Sequence, residues 1–503
     1  MLSGVLLAAS FPKFGHPAFA WIALAPLIVG ITLSVTSGRS GVRQLFLLAA
    51  SSGFIYFAGM LYWAVGTMAT YGGIAGWVAF LVGVLMWGYL AIYVGLFGVL
   101  FGLTVRRFGT NGIWLAPACW VASEWVRCGA FGGFPWGTLG ASQATVLPVV
   151  QLASVTGVHG LSALVALVSA AAAALAFGRR RSTTIGAIAV GVLLAVVAFG
   201  GTLRLTASAL TQTGAVTRVG LIQGNIGLTD KWDPQARDPI LSRYLALSQQ
   251  AIGAGASMVF WPEASTPFYF DAEGALSEPV RRLAAQSHVP FILGTDEYEY
   301  GKGGAPDRIY NTAVVVGVDG RSHGTYRKMR LVPFGEFVPM KKLLFFVGPL
   351  VQSVSDFTEG TEPVVLDANG RKVSVAICYE SIYPWIDREF VLRGSELLAT
   401  ITNDAWFGRS SAPYQHFDMG AIRAVEEGRY VVRAANTGIS GAVDPYGRVL
   451  LKTPLFEPAS VTVDVRLLYG RTIYGQIGDV VAWLSLAIAV AAAFSGLRSG
   501  TRY

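Results

Sequence analysis

Cys378 lies in the segment VAICYES, residues 375–381, directly after an apolar run. A cysteine in this position can be a buried packing residue, half of a disulfide or a nucleophile. Taken alone, it is most typical of a small buried hydrophobic side chain. The two other cysteines, Cys119 and Cys128, lie in an apolar segment, and three cysteines cannot all pair internally. No disulfide framework is therefore predicted.

Two further residues have side chains that suit a cysteine nucleophile: Glu263 in FWPEAS and Lys328 in YRKMRLVPFGEFVP. A glutamate can take the thiol proton as a general base and return it to a leaving group. A cationic lysine favours the thiolate and stabilises the oxyanion of a tetrahedral intermediate, to which the N–H of Tyr379 could also donate. Each charge alone is more typical of a solvated surface, and composition does not show that the three residues meet.

The composition indicates a membrane protein. Of 503 residues, 14% are charged and 53% are hydrophobic, and the mean hydropathy is +0.52. This profile predicts several membrane spans. The net charge of +8 does not indicate a nucleic-acid partner, because the arginines cluster at the ends of apolar runs and not on one basic face. The five histidines are scattered without ligand spacing, so no metal site is predicted.

Apolar runs predict a membrane domain of about eight transmembrane helices. Residues 1–11 are too short for a full span, and we expect a short or clipped first helix there. Each remaining run approaches the roughly 20 apolar residues that cross the hydrocarbon core. These runs are residues 17–36, 45–65, 76–104, 112–128, 148–177, 184–206 and 476–495.

Arginine clusters predict the orientation of these spans. Arg39/Arg43, Arg106/Arg107, Arg179–Arg181 and Arg498/Arg502 fall in alternate loops, as expected if all four clusters are cytoplasmic. The FPWG loop would then face outward. We expect transmembrane helices over residues 1–210, an extracytoplasmic domain over 211–472, and a C-terminal helix with a cytoplasmic tail over 473–503. Glu124 and Arg127, one helical turn apart, are predicted to pair at the outer end of a span, although a functional role stays open.

The segment 211–472 alternates between two kinds of pattern. Strand-like runs end in polar residues at 216–226, 257–265, 289–298, 311–320, 372–381 and 395–406, and helical periodicity marks 238–256, 278–288 and 416–438. Strands that alternate with helices predict a layered α/β domain with polar groups at the strand ends.

The motifs QGNI, KWDP, WPEAS, LVPFGEFVP, ICYE and NDAWFG occur in this order. They resemble the nitrilase (carbon–nitrogen hydrolase) superfamily, whose catalytic residues are Glu, Lys and Cys in the same chain order. With the membrane spans, they resemble its apolipoprotein N-acyltransferase family over essentially the whole chain. The resemblance implies an αββα sandwich for residues 211–472. It also implies a multi-pass acyltransferase of the bacterial inner membrane, with a periplasmic catalytic domain and a cytoplasmic C-terminus.

The resemblance also implies roles for individual residues. Glu263 corresponds to the base, Lys328 to the lysine and Cys378 to the nucleophile. Glu336 corresponds to a second essential glutamate, and Tyr379 and Glu380 to residues that the family requires after its cysteine. The substrate-binding aromatics are implied to be Trp232, near a lipid entrance, and Trp406 and Phe407. For Trp232 and Trp406, plain packing or interfacial anchoring is an equal alternative. For Glu380, the equal alternative is a structural hydrogen-bond acceptor.

The implied reaction is ping-pong. The cysteine attacks an acyl ester of a membrane phospholipid, typically phosphatidylethanolamine, and the thioester passes its acyl chain to the α-amine of a diacylglyceryl-cysteine on an apolipoprotein. No cofactor is needed, and we expect a monomer. Two alternatives are a membrane-tethered amidase with water as acceptor, and a transporter or scaffold that has lost catalysis. The FPWG loop and the many spans argue against the first, and the intact Glu, Lys and Cys argue against the second.

Overall fold

The structure of the chain is a computed structural model that describes residues 1–38, 41–178, 180–231, 233–300, 306–333, 335–337 and 357–499. The predicted substrate residue Trp232 lies outside these described residues, as do Arg39, Arg179 and Arg502. The described chain has a helical part formed by its two ends, and an α/β part between them.

Apolar helices of very different lengths make up the N-terminal part. They are α1 (Leu2–Ala8), α2 (Ala20–Ala23), α3 (Ala25–Thr36), α4 (Val42–Met60), α5 (Trp63–Tyr71), α6 (Gly76–Phe108), α7 (Ala116–Gly129), α8 (Leu147–Val150), α9 (Ala153–Ala176) and α10 (Arg181–Ala207). At the other end of the chain, α15 (Ile473–Ile477) precedes α16 (Val480–Ser499). The helix α16 returns to this bundle and packs against α6 and α7.

Within the described residues, six helical stretches are long and apolar enough to cross a membrane. They are Pro17–Thr36, Val42–Met60, Gly76–Gly132, Ala153–Ala176, Arg181–Thr211 and Val480–Arg498. Each overlaps a predicted span, and the predicted spans 76–104 and 112–128 both fall within the third stretch. A multi-span helical membrane domain is thus confirmed, while the number of crossings and the domain boundaries stay predictions.

The stretch Gly76–Gly132 is not one straight helix. Its 57 residues would extend about 85 Å, well beyond a hydrocarbon core of about 30 Å. The chain breaks at Gly109, where φ is 59°, and α7 then packs against α6. The helix α7 has only 14 residues and α1 has 7. Both are shorter than a span on their own.

The α/β part contains two six-stranded sheets. The first has the order β12-β1-β2-β3-β4-β5, with β1 (Ala215–Gln223), β2 (Met258–Phe260), β3 (Phe291–Tyr300), β4 (Pro306–Val316), β5 (Ser322–Arg327) and β12 (Ala459–Leu467). The second has the order β11-β10-β9-β8-β7-β6, with β6 (Leu366–Asp367), β7 (Lys372–Ile377), β8 (Leu397–Thr402), β9 (Val431–Ala435), β10 (Gly441–Val443) and β11 (Val449–Lys452).

Each sheet has three parallel strands at its centre and antiparallel strands outside them. In the first sheet β1, β2 and β3 are parallel, and in the second β7, β8 and β9 are parallel. The strands β8 and β9 are buried along their whole length. Their continuous apolar sequences reflect this burial on both faces, which is typical of parallel strands.

Helices cover the outer face of each sheet. The helices α11 (Arg237–Gly253) and α12 (Gly274–Ser287) belong to the first sheet, and α13 (Pro384–Leu392) and α14 (Ala412–Glu427) to the second. The helix α11 packs on β1, and α13 on β7, while the two sheets contact each other through β1 with β9 and β4 with β7. This is the predicted αββα sandwich. On its outer side, α14 packs against the membrane-part helix α9, so it joins the two parts of the molecule.

Candidate active site

Cys378 follows β7 immediately and starts the short 3-10 helix Cys378–Ile382. Its φ is 52°, a left-handed conformation that is costly for residues other than glycine and that clusters at functional sites. Its carbonyl oxygen accepts a hydrogen bond from the Ser381 hydroxyl at 3.0 Å. A cysteine on a sharp turn from strand to helix resembles the elbow that presents the nucleophile of other α/β enzymes.

The carboxylate of Glu263, three residues beyond the end of β2, has a donor on each oxygen. Its Oε1 accepts from Lys328 Nζ at 3.0 Å and from Asn311 Nδ2 at 2.7 Å. Its Oε2 accepts from the backbone N–H of Asn403 at 2.9 Å. Burial acts to raise the pKa of Glu263, but the Lys328 charge and these hydrogen bonds outweigh it and hold that pKa below its usual range. The group is therefore a carboxylate at neutral pH.

Lys328 is 1% exposed and lies between two carboxylates. Its Nζ donates to Glu263 Oε1 at 3.0 Å and to Glu336 Oε1 at 2.8 Å. Burial acts to lower the pKa of Lys328, but the two carboxylates raise it well above its ordinary value. Lys328 is thus a buried, fully charged ammonium.

Glu336 fixes the direction of this ammonium. Its Oε2 accepts from the backbone N–H of Val332 at 2.8 Å. Its Oε1 accepts from Asn311 Nδ2 at 2.9 Å as well as from Lys328. Asn311 therefore donates to both carboxylates that hold the lysine, an arrangement that sequence reasoning missed because Asn311 simply opens the apolar run NTAVVV.

The Cys378 thiol lies in the electrostatic field of these groups. Burial, and then the negative charge of Glu263, raise the pKa of Cys378 well above its ordinary value, while the charge of Lys328 acts in the opposite direction. The resting side chain is therefore a thiol. The structure thus brings the three predicted residues into one buried cluster.

Glu380 joins two segments of the site. Its Oε2 accepts from the N–H of Ile377 at 2.7 Å, at the end of the strand that leads into the cysteine. Its Oε1 accepts from Tyr326 Oη at 2.8 Å and from the N–H groups of Met329 and Arg330 at 2.6 and 3.1 Å. Burial raises the pKa of Glu380 to about 7, against these hydrogen bonds. Glu380 therefore connects the end of β7, which leads to Cys378, with the segment that contains Lys328.

Tyr379 faces the membrane part of the molecule. Its ring lies 6.3 Å from that of Phe134, in the FPWG loop, and 5.2 Å from that of Tyr383. The hydroxyl of Tyr383 donates to the carbonyl of Gly133 at 2.9 Å. The turn that carries the cysteine is therefore braced by a loop of the membrane part.

Trp406 and Phe407 lie at the junction of the two parts, in an aromatic cluster with α5. The Trp406 ring is 5.6 Å from Tyr71, and its carbonyl accepts from Thr67 Oγ1 at 2.9 Å. The Phe407 ring is 4.9 Å from that of Trp63. Trp406 is 44% exposed, so it borders the open side of this junction. Neither ring belongs to the cluster of charged residues around Lys328.

A second buried network contacts the backbone of Cys378, and no sequence pattern beyond an isolated histidine indicated it. His416 Nε2 lies 3.1 Å from the carbonyl oxygen of Cys378. Its Nδ1 lies 3.1 Å from Asp404 Oδ1 and 2.9 Å from a guanidinium nitrogen of Arg433. Burial and the Arg433 charge lower the pKa of His416, so the imidazole is neutral at pH 7. Burial acts to raise the pKa of Asp404, but Arg433 and His416 bring it down to about 2.

Gln415, the residue before His416, connects α14 to the membrane part. Its Oε1 accepts from the indole N–H of Trp136 at 2.9 Å and from that of Trp63 at 3.3 Å. Its Nε2 donates to the carbonyl of Pro12 at 2.9 Å. One buried amide therefore contacts three separate segments of the membrane part.

The expected pairing of Glu124 with Arg127 is wrong, because no ion pair of the described residues joins them. Glu124 instead accepts from the N–H of Leu139 at 2.6 Å. Arg127 donates to the carbonyls of Phe134 and Trp136 at 2.5 and 2.8 Å. Glu124 also accepts from the Ser162 hydroxyl at 2.5 Å and lies 3.6 Å from His159 Nδ1. Each of the two charges therefore has its own partners. In the part of the chain that the structure describes, no cluster of histidine, cysteine and acidic residues is arranged to hold a metal ion.

The αββα sandwich with its Glu–Lys–Cys cluster defines a carbon–nitrogen hydrolase domain carried on membrane helices. The family model described as carbon-nitrogen hydrolase matches residues 218–473, and the model described as apolipoprotein N-acyltransferase N-terminal domain matches residues 3–171. The chain belongs to the apolipoprotein N-acyltransferase family. It is accordingly an acyltransferase.

Curated relatives that carry this family name match the chain over most of their length. The apolipoprotein N-acyltransferase of Geobacter metallireducens is 39% identical over 507 residues, which cover 99% of this chain and 94% of the relative. That of Methylococcus capsulatus is 32% identical, covering 95% of this chain and 92% of the relative. Among solved structures, an amidase from Nesterenkonia sp. is 22% identical with a TM-score of 0.39, covering 53% of this chain and 94% of the amidase.

Proposed function

We propose that the enzyme transfers a fatty acyl chain from a membrane phospholipid to the α-amine of an N-terminal diacylglyceryl-cysteine, through a thioester on Cys378. The proposal takes lipoproteins as acceptors because the curated relatives are named apolipoprotein N-acyltransferases. The observation that carries the chemistry is the buried Lys328 ammonium, held by Glu263 and Glu336 next to a cysteine on a left-handed turn.

In the first half-reaction, Glu263 takes the thiol proton as sulfur attacks the ester carbonyl of the phospholipid. Lys328 and the N–H of Tyr379, near the start of a 3-10 helix, stabilise the oxyanion of the tetrahedral intermediate. The carbon–oxygen bond then breaks, and the leaving glycerol oxygen takes the proton from Glu263. The products are lysophospholipid and a thioester on Cys378.

In the second half-reaction, the neutral α-amine of the acceptor attacks the thioester carbonyl. Glu263 takes the proton that the attacking nitrogen loses, and the carbon–sulfur bond breaks. The thiolate that leaves is protonated by Glu263, which restores the resting thiol and yields an amide. The high pKa of Cys378 in this site suits that return.

The remaining predicted residues have supporting roles in this proposal. Glu336 orients Lys328, Glu380 sets the spacing between the lysine segment and the cysteine strand, and Tyr379 braces the turn. Trp406 and Phe407 line the path of the lipid substrates, and a role in binding the same lipids is assigned to Trp232. The enzyme acts as a monomer without a cofactor, because the phospholipid ester supplies the activated acyl group. The phospholipid is phosphatidylethanolamine.

The same proposal orients the enzyme in the bacterial inner membrane. The arginines next to the apolar helices, such as Arg106 and Arg107 at the end of α6, support a cytoplasmic location for those loops. The catalytic domain, residues 211–472, is then periplasmic. The C-terminus, beyond the span in residues 473–503, is cytoplasmic.

The test is mass spectrometry of the purified enzyme after incubation with phosphatidylethanolamine. We expect a fatty-acyl adduct on Cys378 that hydroxylamine removes, and none in Cys378→Ala. Addition of a diacylated lipopeptide should clear the adduct and yield the N-acylated peptide. A folded enzyme that forms no adduct would contradict the proposal, and release of free fatty acid in place of the amide would identify a hydrolase.

A further inference from the structure

Arg330 differs from Arg327 and Lys328, the two cations just before it in the chain, in its lack of an acidic partner among the described residues. Arg327 pairs with Glu297 at 2.7 Å, and Lys328 is held by its two glutamates. No ion pair among the described residues includes Arg330, and its buried Nε has no hydrogen-bond partner there. A buried donor without a hydrogen-bond partner costs free energy in a folded protein. The Arg330 Nε therefore points to a bound ligand that accepts its hydrogen bond.

Two aromatic rings hold the Arg330 guanidinium in place. Its central carbon lies 5.3 Å from the ring of Trp385 and 6.0 Å from that of Tyr383. Such cation–π contacts orient a guanidinium without neutralising its charge. The backbone N–H of Arg330 donates to Glu380 Oε1 at 3.1 Å, which fixes the start of the side chain beside the lysine segment.

The acidic groups nearby do not satisfy this charge. Glu380 already accepts hydrogen bonds from four groups. The negative charge of Glu359 acts on Tyr383, but Glu359 is an exposed side chain and forms no described ion pair with Arg330. The guanidinium therefore keeps a net positive charge. It lies over the ring of Tyr383, which is 5.2 Å from the ring of Tyr379, the residue after Cys378.

The surroundings of Arg330 are apolar and open. Trp385 is 36% exposed, and Phe131 is 92% exposed. The hydroxyl of Tyr383 lies 3.4 Å from the carbonyl of Gly132, the residue after Phe131. Arg330 has no acidic partner among the described residues, and Trp385 beside it is exposed. A cation next to an exposed aromatic side chain suits an anion that is attached to apolar chains, as at a membrane interface, better than a freely dissolved anion.

We propose that Arg330 binds the phosphate of the donor phospholipid while the ester of that lipid lies at Cys378. This inference rests on the proposed function. The guanidinium offers parallel N–H groups that match two phosphate oxygens. Because a phospholipid carries its acyl esters and its phosphate on one glycerol unit, a cation near the nucleophile can hold the headgroup and so position the ester.

The experiment compares two donors that share the same acyl chains: phosphatidylethanolamine and diacylglycerol, which lacks the phosphate. Acyl-enzyme formation is followed by intact mass in Arg330→Gln, Arg330→Lys and the unaltered enzyme. We expect Arg330→Gln to lower the rate from phosphatidylethanolamine by about ten- to a hundred-fold, the range of a charged hydrogen bond, with a much smaller change for diacylglycerol. Arg330→Lys keeps the charge but not the paired donors, so its rate should be intermediate.

Arg327→Gln is the matched control, because Arg327 also lies over a tyrosine ring but has acidic partners. Arg327→Gln should leave unchanged the ratio of the acylation rate from phosphatidylethanolamine to the acylation rate from diacylglycerol. An unchanged ratio in Arg330→Gln would overturn the inference while adduct formation upheld the proposed function. Adduct formation from neither donor in the unaltered enzyme would overturn both. If added inorganic phosphate raised the diacylglycerol rate to that of the phospholipid, the site would belong to a free anion and not to a headgroup.

Discussion

The Nε2 atom of His416 lies 3.1 Å from the main-chain carbonyl oxygen of Cys378. The preceding residue, Gln415, accepts a hydrogen bond from the indole N–H of Trp136 in the FPWG loop at 2.9 Å. Consecutive residues of α14 therefore contact the proposed nucleophile and the membrane part. Through α14, the turn that carries the thiol is connected to the FPWG loop of the membrane part, and we propose that this connection positions the thiol.

Removal of the His416 side chain should disturb the turn that carries the thiol. We expect His416→Ala to lower kcat for acyl transfer by about tenfold, the cost of a lost buried hydrogen bond, with little change in KM for the phospholipid. His416→Gln, whose amide N–H can replace the Nε2 donor, should recover most of the rate. Steady-state kinetics of the two variants measure kcat and KM. An equal loss of kcat in both variants would argue against positioning through the contact between His416 and the Cys378 carbonyl.

Glu336 should set the alkaline limit of activity. Its carboxylate helps to raise the pKa of Lys328, so Glu336→Gln lowers that pKa. Because the oxyanion needs the ammonium, acyl-enzyme formation in this variant should decline at lower pH than in the unaltered enzyme. The pH profile of the adduct rate measures this shift. Glu389→Gln, at an exposed i,i+4 pair with Arg393, is the control, and an unmoved alkaline limb in Glu336→Gln would refute this role.

Glu263 should have opposite effects on thiol reactivity and on catalysis. Its negative charge raises the pKa of Cys378, so Glu263→Gln lowers that pKa and increases the thiolate fraction near pH 8. We expect faster alkylation of Cys378 by iodoacetamide in this variant, together with a loss of acyl transfer of at least about a hundredfold, the range of general-base catalysis. Peptide mass spectrometry separates Cys378 from the other free cysteines. Alkylation and acyl transfer that slowed together would contradict the assigned charge effect.

Gly294 on β3 should be intolerant of a side chain. A Cβ atom there would lie 2.5 Å from the backbone nitrogen of Ala264 and 2.6 Å from the Cα of Glu263. Gly294→Ala must therefore displace the turn that carries the proposed base, and we expect it to reduce acyl-enzyme formation at least tenfold and to lower the thermal midpoint. Gly274→Ala, where no atom lies within 4 Å of the new Cβ, should leave both measurements unchanged. Normal activity in Gly294→Ala would show that the turn relaxes without moving Glu263.

Much of the fold could be predicted because its signals are local. Uninterrupted apolar runs predicted the long helices, and polar residues after β2 and β7 marked the edge where Glu263 and Cys378 lie. The lengths of α1 and α7 were harder to predict. Gly109, where φ is 59°, ends α6 just after Arg106 and Arg107, but the apolar sequence that follows does not show that α7 has only 14 residues.

The supporting residues could not be predicted because their partners are distant in the chain. His416 is 38 residues from Cys378, and Asn311 is 48 residues from Glu263. Glu124 and Arg127 have the spacing of a helical ion pair. Carbonyls of the FPWG loop accept from Arg127, however, and Glu124 binds Leu139, Ser162 and His159. Spacing within one helix reports which side chains are adjacent and not which tertiary partners are available.

The central claim, that a thioester on Cys378 is the intermediate, is tested most directly by the reactivity of the isolated acyl-enzyme. The enzyme is loaded from phosphatidylethanolamine with an isotopically labelled acyl chain, freed of lipid and mixed rapidly with a diacylated lipopeptide. The label should leave Cys378 and appear as an amide on the lipopeptide at a rate at least equal to overall turnover. A label that stayed on the enzyme, or moved more slowly than turnover, would contradict the thioester as the intermediate.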